Sequence, residues 1–280
     1  MKATFCIALA AFALTSCMTN AQSWGSKRIK ESKNYVTKEI KVDNFNKISL
    51  IGSPTVNFTQ KAGKPQVRVY TSDNIAEVLN IYEKGGTLYV GFKKGYSVSY
   101  TKLNIDISAE TLNSISLSGS GDINLKNGVK TDRLVLSLSG SGDINGSHIR
   151  CQELITSMAG SGDIELSDVS SSTTKVSIAG SGDIALKALS ASFVKSSIAG
   201  SGDIVLDGQA DEASYSVAGS GDMHAVNLKA KRVNASVSGS GSVKCYASDY
   251  LKARTTGSGS IGYKGNPQEL DLPRKNIYEL

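Results

Sequence analysis

The chain has 280 residues, of which 40% are hydrophobic and only 6% aromatic, so it can form a sizeable core and is not globally disordered. Its formal net charge is +6, but residues 22–118 hold 14 Lys and Arg against 8 Asp and Glu, whereas residues 119–280 hold 16 against 17. The neutral second part leaves no basic groove that could track phosphates, so we expect no nucleic-acid partner.

Residues 1–21 are predicted to be a signal peptide. Lys2 is followed by an apolar run over residues 5–14, which is too short to cross a bilayer of ~30 Å as a helix. Two cleavage patterns fit. Leu14-Thr15-Ser16-Cys17 resembles the bacterial lipobox, which would leave Cys17 as a lipid anchor, whereas residues 19–21 fit signal peptidase and would leave Gln22 first. Either pattern predicts an exported protein: an outer-membrane lipoprotein, or one in the periplasm or at the cell surface, which contacts a membrane only through that anchor.

Residues 22–33 are predicted to be a polar tether. The basic run Lys27-Arg28-Ile29-Lys30 follows the signal peptide. A solvated tether explains this run, and weak attraction to anionic lipid or acidic polysaccharide is the alternative.

Residues 34–118 are predicted to form irregular rungs and a cap. Apolar residues alternate with polar ones, as in strands, over Gln66–Tyr70, Thr87–Phe92 and Leu103–Ser108. Gly85-Gly86 predicts a turn, and Gly52-Ser53 resembles a degraded copy of the motif that follows. A single helical turn is expected over Asn74–Asn80, capped by Ser72 or Asp73.

Residues 119–265 are dominated by a repeat. Eight Gly-Ser-Gly triplets, 18 to 21 residues apart, begin at Gly119, Gly140, Gly160, Gly180, Gly200, Gly219, Gly239 and Gly257. On both sides of each triplet apolar residues alternate with polar or small ones, for example Ile144, Ile164 and Ile184 four residues after the first glycine. One such unit cannot bury its apolar edge alone, whereas stacked units can. The pattern predicts an all-β, single-stranded parallel β-helix (solenoid) with ~20-residue rungs, closed by a C-terminal tail over residues 266–280.

A row of aspartates is the sharpest candidate for chemistry. One lies three residues after the first glycine of six repeats: Asp122, Asp143, Asp163, Asp183, Asp203 and Asp222. Stacking would place them ~4.8 Å apart. They could accept hydrogen bonds from turn amides or bind a row of Ca²⁺ ions. We expect the structural role and no cofactor, with Ca²⁺ as the alternative.

Cysteines and exposed aromatic residues complete the candidates. Cys151 and Cys245 lie nearly five repeats apart, too far for a disulfide, so we expect two unpaired, buried thiols. Two aromatic groups are candidates for binding sugars or peptides, with core or cap packing as the alternative: Phe92, Tyr96 and Tyr100, and Tyr246 and Tyr250, near Tyr263.

Catalysis is not expected. No Gly-x-Ser-x-Gly nucleophile elbow is present, and the two histidines, His148 and His224, lack metal-ligand spacing and are expected at the surface. Glycoside hydrolysis needs one unique pair of carboxylates, whereas the aspartates here repeat identically. A polysaccharide lyase or hydrolase remains the enzymatic alternative, because pectin-degrading enzymes also use β-helices.

The recurring Gly-Ser-Gly-Asp-Ile motif, preceded by Phe45-Asn46-Lys47-Ile48-Ser49-Leu50, resembles the auto-transporter adhesin head GIN domain family over residues 34–265. The resemblance implies a right-handed parallel β-helix at the surface or in the periplasm of Gram-negative bacteria, with an adhesive role. We therefore expect a non-catalytic cell-envelope adhesion or binding module. Its partner would be a polysaccharide or an envelope or host surface protein, and a purely structural envelope protein is the third possibility.

Overall fold

The protein is an all-β parallel solenoid of about eight turns. The structure is a computed structural model that describes residues 26–272 and 275–280. The predicted signal peptide and the candidate lipid anchor Cys17 lie outside the described residues. No helix in the two described ranges is long and apolar enough to cross a membrane.

The elements fall into an N-terminal part, a regular stack and a tail. The N-terminal part contains β1 (Lys27–Lys30), β2 (Tyr35–Ile40), β3 (Lys47–Gly52), β4 (Thr55–Gln60), β5 (Gln66–Ser72), α1 (Asp73–Ala76), β6 (Leu79–Lys84), β7 (Thr87–Phe92), β8 (Tyr96–Ser99) and β9 (Leu103–Ala109). The stack contains β10 (Ser114–Gly119), β11 (Asp122–Leu125), β12 (Val129–Lys130), β13 (Arg133–Gly140), β14 (Ile144–Gly160), β15 (Asp163–Gly180), β16 (Asp183–Gly200), β17 (Ile204–Gly219), β18 (Asp222–Gly239) and β19 (Ser242–Gly257). The tail contains β20 (Ser260–Lys264), β21 (Glu269–Asp271) and β22 (Ile277–Glu279).

Each long strand bends around the rod and contributes to three faces. In β15, face B covers residues 163–167, face C residues 169–171 and face A residues 173–180, and all three pair in parallel with β16. The corner between faces B and C has a left-handed backbone at His148, Asp168 and Ala188, with φ of 58°, 51° and 50°. The corner between faces A and B is the Gly-Ser-Gly triplet.

Two different constraints require glycine at that triplet. The first glycine has a positive φ, 152° at Gly160. The second packs against the rung below, since a Cβ on Gly162 would lie 2.0 Å from the carbonyl oxygen of Gly142. The same close stacking lets the Gly140 carbonyl accept hydrogen bonds from the amides of Ser161 and Gly162, at 2.9 and 3.2 Å.

Aliphatic columns run up the inside of the rod, as predicted. Ile144 pairs with Ile164, which pairs with Ile184, and none of the three is exposed. The same column continues through Ile105, Val56 and Ile123 at the N-terminal end and through Ile204, Met223, Val243 and Ile261 at the other. The predicted stacking of near-identical segments is confirmed.

The N-terminal rungs do not stack in chain order. The rung made by β3 and β4 lies between β7 and β9 on one side and β10 and β11 on the other. Between these rungs the chain reverses, because β5 pairs antiparallel with both β2 and β9, and β6 pairs antiparallel with β7. The antiparallel strands β2, β5 and β6 lie beyond the parallel rungs and cover their open edge.

Local details of this cap differ from expectation in places. Gly85 and Gly86 form the turn of the β6–β7 hairpin, with φ of 62° and 75°, as predicted. The helix is shorter than expected and ends at Ala76, because Leu79 already belongs to β6. Part of the expected tether is a strand, since β1 pairs in parallel with β8.

The C-terminal tail packs on the end of the stack. Strands β21 and β22 pair with β19 and β20, and Leu280 packs over Gly262, so the tail covers the last rung.

Cys151 and Cys245 are free thiols. Cys245 is buried, and burial raises its pKa to about 12. Cys151 was expected to be buried but is half-buried, because it lies beside the corner at Gln152; burial, with the charge of Glu153, raises its pKa to about 11.

Candidate binding groove

Face C carries one outward column that changes character along the rod. Its members pair in register from one rung to the next: Lys130, Arg150, Ser170, Ser190, Gln209, Lys229 and Tyr246. Hydroxyl, amide, ammonium and phenol groups therefore follow one another at the rung spacing of ~4.8 Å. The aspartates on face B, in contrast, repeat unchanged.

A groove of about 530 Å³ runs beside this column across β15 to β19. Its floor consists of small side chains, Ser171, Ala191, Ala210 and Ala230, which lie between two rows of larger ones. The second row includes Ser192, Asp211, Lys231 and Ser248. Because the floor positions are small on consecutive rungs, the sheet surface is dented there and the polar side chains form the walls. We call this feature the face-C groove.

Tyr246 marks the positively charged end of the face-C groove. In register it lies between Lys229 and Lys264 on the adjacent rungs. Lys231 donates to Asp211 at 2.8 Å, and this hydrogen bond raises the pKa of Lys231. No ion pair holds Lys229 within the described part of the chain. A half-buried ring, a free ammonium group and several hydroxyl and amide groups therefore face one concave surface.

The other candidate aromatic residues lie in different surroundings. Tyr250 lies under the Arg232 guanidinium, 4.6 Å from ring centroid to Cζ, so one face of its ring is covered. Phe92 packs on Tyr100 with centroids 5.8 Å apart, and Tyr100 Oη donates to the Ser53 carbonyl at 2.9 Å. Tyr96 is exposed and lines a separate cleft at the N-terminal end.

The aspartate row links successive rungs. In every pair the amide of one rung donates to Oδ1 of the aspartate below, for example Asp183 to Asp163 at 3.2 Å and Asp203 to Asp183 at 2.9 Å. The row ends where Ser242 donates both its amide and its hydroxyl to Asp222, each at 2.8 Å. Among the residues that the structure describes, no three His, Cys, Asp or Glu side chains form a metal-binding group. The hydrogen bonds from the amides of successive rungs support the structural role for the aspartates.

A charged cluster at the corner between faces B and C was missed by the sequence reasoning. Asp168 accepts two hydrogen bonds from Arg150 Nη2, both 2.7 Å, which lowers the pKa of Asp168. His148 Nδ1 lies 3.0 Å from Ser147 Oγ, and its Nε2 lies 3.7 Å from Asp168. These groups resemble a catalytic triad, but Arg150 occupies both oxygens of Asp168, and His148 is exposed. The arrangement therefore lacks the buried acid that orients a general base.

Gln209 and Lys229 were also missed. The members of this column lie seven to eleven residues after the first glycine of their triplet, nine for Gln209 and ten for Lys229, so aligning the repeats on that glycine does not bring the whole column into register. The signal that could have found them is the small residue that follows each by one position, Ala210 and Ala230.

Two regions of the chain, residues 44–169 and 166–267, match the family described as "Putative auto-transporter adhesin, head GIN domain". Among solved structures, one described as a putative lipid binding protein from Parabacteroides distasonis is 28% identical, with a TM-score of 0.69, and the match covers 91% of this chain and 100% of that one. A putative adhesin from Bacteroides fragilis is 30% identical, with a TM-score of 0.56 and coverage of 90% and 100%. A putative adhesin from Parabacteroides merdae is 25% identical, with a TM-score of 0.70 and coverage of 90% and 99%. Among curated protein sequences, none matches the chain.

Proposed function

Because the chain belongs to the auto-transporter adhesin head GIN domain family, we propose that it is an exported adhesion module that binds a glycan in the face-C groove. The family implies export. The location that fits the sequence best is the outer membrane, with Cys17 as lipid anchor.

The face-C groove carries the proposal, because its chemistry suits a sugar chain. Pyranose rings present apolar faces and hydroxyl edges, and a Tyr ring supplies both a flat apolar surface and a polar tip. Ser190, Gln209 and Lys229 repeat at ~4.8 Å along the groove, a spacing close to that of sugar units in an extended glycan. The volume of about 530 Å³ is within the range of ligand sites.

The proposal includes the absence of catalysis. Hydrolysis of a glycosidic bond needs two carboxyl groups on opposite sides of it. Asp211 is the one carboxylate of the described residues that lines the face-C groove, and it is bound to Lys231. The groove therefore offers binding groups without an acid and base pair.

A glycan array probed with the mature chain, followed by calorimetry on the best ligand, tests the proposal. Tyr246→Ala should weaken binding about tenfold or more, since aromatic anchors in interfaces commonly contribute more than about 1.4 kcal/mol. Lys229→Ala should weaken binding of acidic glycans most. Tyr278→Ala is the matched control, because Tyr278 is an exposed tyrosine on β22 at the end of the stack.

Three results would contradict the proposal. An array without any bound glycan, while a protein partner binds, would favour a protein adhesin. Release of new reducing ends from pectin or host glycans would favour the enzyme. Equal affinities for Tyr246→Ala and Tyr278→Ala would place the site elsewhere. Mass spectrometry of the mature N-terminus tests the location, since a diacylated Cys17 is expected and a free Gln22 would exclude the anchor.

A further inference from the structure

A second concave site lies at the N-terminal end of the rod, and its residues are distant in sequence from those of the face-C groove. A cleft of about 700 Å³ is lined by β1, by α1 and the residues after it, and by the segment that enters β8. Its walls are held by hydrogen bonds. The Asn74 side chain donates to the Lys30 carbonyl at 2.8 Å, and the Lys93 amide donates to the Val78 carbonyl at 2.8 Å. The basic run that sequence reasoning assigned to a tether is therefore one wall of a built cleft.

The charge of this cleft is strongly positive. Lys27, Arg28, Lys30 and Lys93 line it and are exposed, against a single carboxylate, Glu77. Elsewhere on the rod some basic side chains are paired with a carboxylate, as Arg150 is with Asp168. Within the described residues, no ion pair holds any of the four basic side chains of the cleft.

The cleft also has apolar surface beside these charges. Ile29, Val78 and Tyr96 contribute to its lining, and Tyr96 is 36% exposed. Tyrosine rings favour positions where one end is apolar and the other contacts water, as at a membrane interface. A free inorganic anion would use the ammonium and guanidinium groups alone, whereas an anionic amphiphile would use both kinds of surface.

The uneven distribution of charge along the chain would turn its N-terminal end toward an anionic surface. Residues 22–118 carry a net charge of +6 and residues 119–280 a net charge of −1. An anionic surface attracts the N-terminal end within about a Debye length, ~8 Å at physiological salt. We propose that the N-terminal cleft docks phosphate-bearing lipid headgroups of an anionic membrane, so that the rod stands with its N-terminal end on the bilayer. This site is independent of the glycan proposal.

Vesicle flotation tests the proposal with the full-length parent and two matched variants, all three carrying Cys17→Ser so that no lipid can be attached. In the first, Lys27, Lys30 and Lys93 are changed to Gln. In the second, three exposed lysines away from the cleft, Lys126, Lys130 and Lys195, are changed to Gln. The two variants lose the same charge and keep the same leader, so their difference reports the cleft.

On vesicles with about a third phosphatidylglycerol, the cleft variant should partition about a hundredfold less than the parent, since each Lys at an anionic surface contributes about fivefold. The control variant should change less than about threefold, and vesicles of pure phosphatidylcholine should show no difference among the three proteins. Equal losses of vesicle binding in both variants would show that binding depends only on net charge, and would overturn the proposal. It would also be overturned if the cleft variant lost binding to heparin or polygalacturonate while vesicle binding stayed the same.

Discussion

Replacing Gly162 by Ala should destabilise the rod because the added Cβ would clash with the rung below, and not because the backbone conformation disfavours alanine. The φ of Gly162 is not in the positive range, but its added Cβ would lie 2.0 Å from the Gly142 carbonyl oxygen. Carbon and oxygen approach to about 3.3 Å at closest, so the two rungs would have to separate by roughly 1 Å at this corner.

The loss in free energy of unfolding can be calculated from the hydrogen bonds that this separation breaks. Gly140 accepts from the amides of Ser161 and Gly162 at 2.9 and 3.2 Å, and neither bond survives a lengthening of about 1 Å. Two hydrogen bonds at about 1 kcal/mol each and about 2 kcal/mol of overpacking give a loss of about 4 kcal/mol. For a chain of this size the melting temperature should fall by about 10 °C.

Thermal and urea denaturation followed by circular dichroism measure this loss against two controls. Ser161→Ala changes an exposed neighbour and should leave stability unchanged. Gly95→Ala changes a glycine with φ of 84° that has no atom within 4 Å of the added Cβ, so it reports backbone strain alone, about 1 kcal/mol. A melting temperature for Gly162→Ala within about 2 °C of the parent would refute the reasoning, as would equal losses for Gly162→Ala and Gly95→Ala.

Three further predictions concern single side chains. The Tyr215 hydroxyl is buried without a hydrogen-bond partner among the described residues, so Tyr215→Phe should stabilise the rod by about 1 kcal/mol in denaturation; a loss would reveal a partner. With Cys6 and Cys17 replaced by Ser, Cys151 should react about tenfold more slowly than a free thiol with Ellman's reagent at pH 8, because a pKa of about 11 instead of 9.0 lowers the thiolate fraction about a hundredfold and the greater nucleophilicity of that thiolate offsets part of the loss. The raised pKa also means that this thiol's contribution to stability is present below pH 9 and is lost as pH rises through 11, as alkaline denaturation would show. Asp183→Asn keeps an acceptor for the Asp203 amide and reduces repulsion along the row, so stability should change by less than about 1 kcal/mol; millimolar calcium should leave the melting temperatures of parent and variant unchanged, and a rise confined to the parent would indicate a cation site.

The sequence by itself determined the regular stack. A Gly-Ser-Gly triplet at nearly constant spacing, with alternating apolar residues on both sides, can bury its apolar edge in one way: by placing like residues over like. Ile144, Ile164 and Ile184 therefore share a column. The spacing also placed Asp163 and Asp183 in one row, where each can reach the amide of the next rung.

Only the tertiary structure decided the order of the N-terminal rungs and the shape of the two surfaces proposed to bind ligands. Strand order depends on which strand edges remain free when the chain reverses. The alternation of apolar and polar residues in β3 and β7 would be the same whether β10 stacked on β3 or on β7, and the structure places it on β3. The face-C groove depends on small floor residues coinciding on rungs of unequal length, and the N-terminal cleft on β1 pairing with a segment 69 residues later in register, Lys27 with Tyr96. Such contacts join residues that are distant in the chain, and a local pattern carries no information about which distant partner fills the remaining edge.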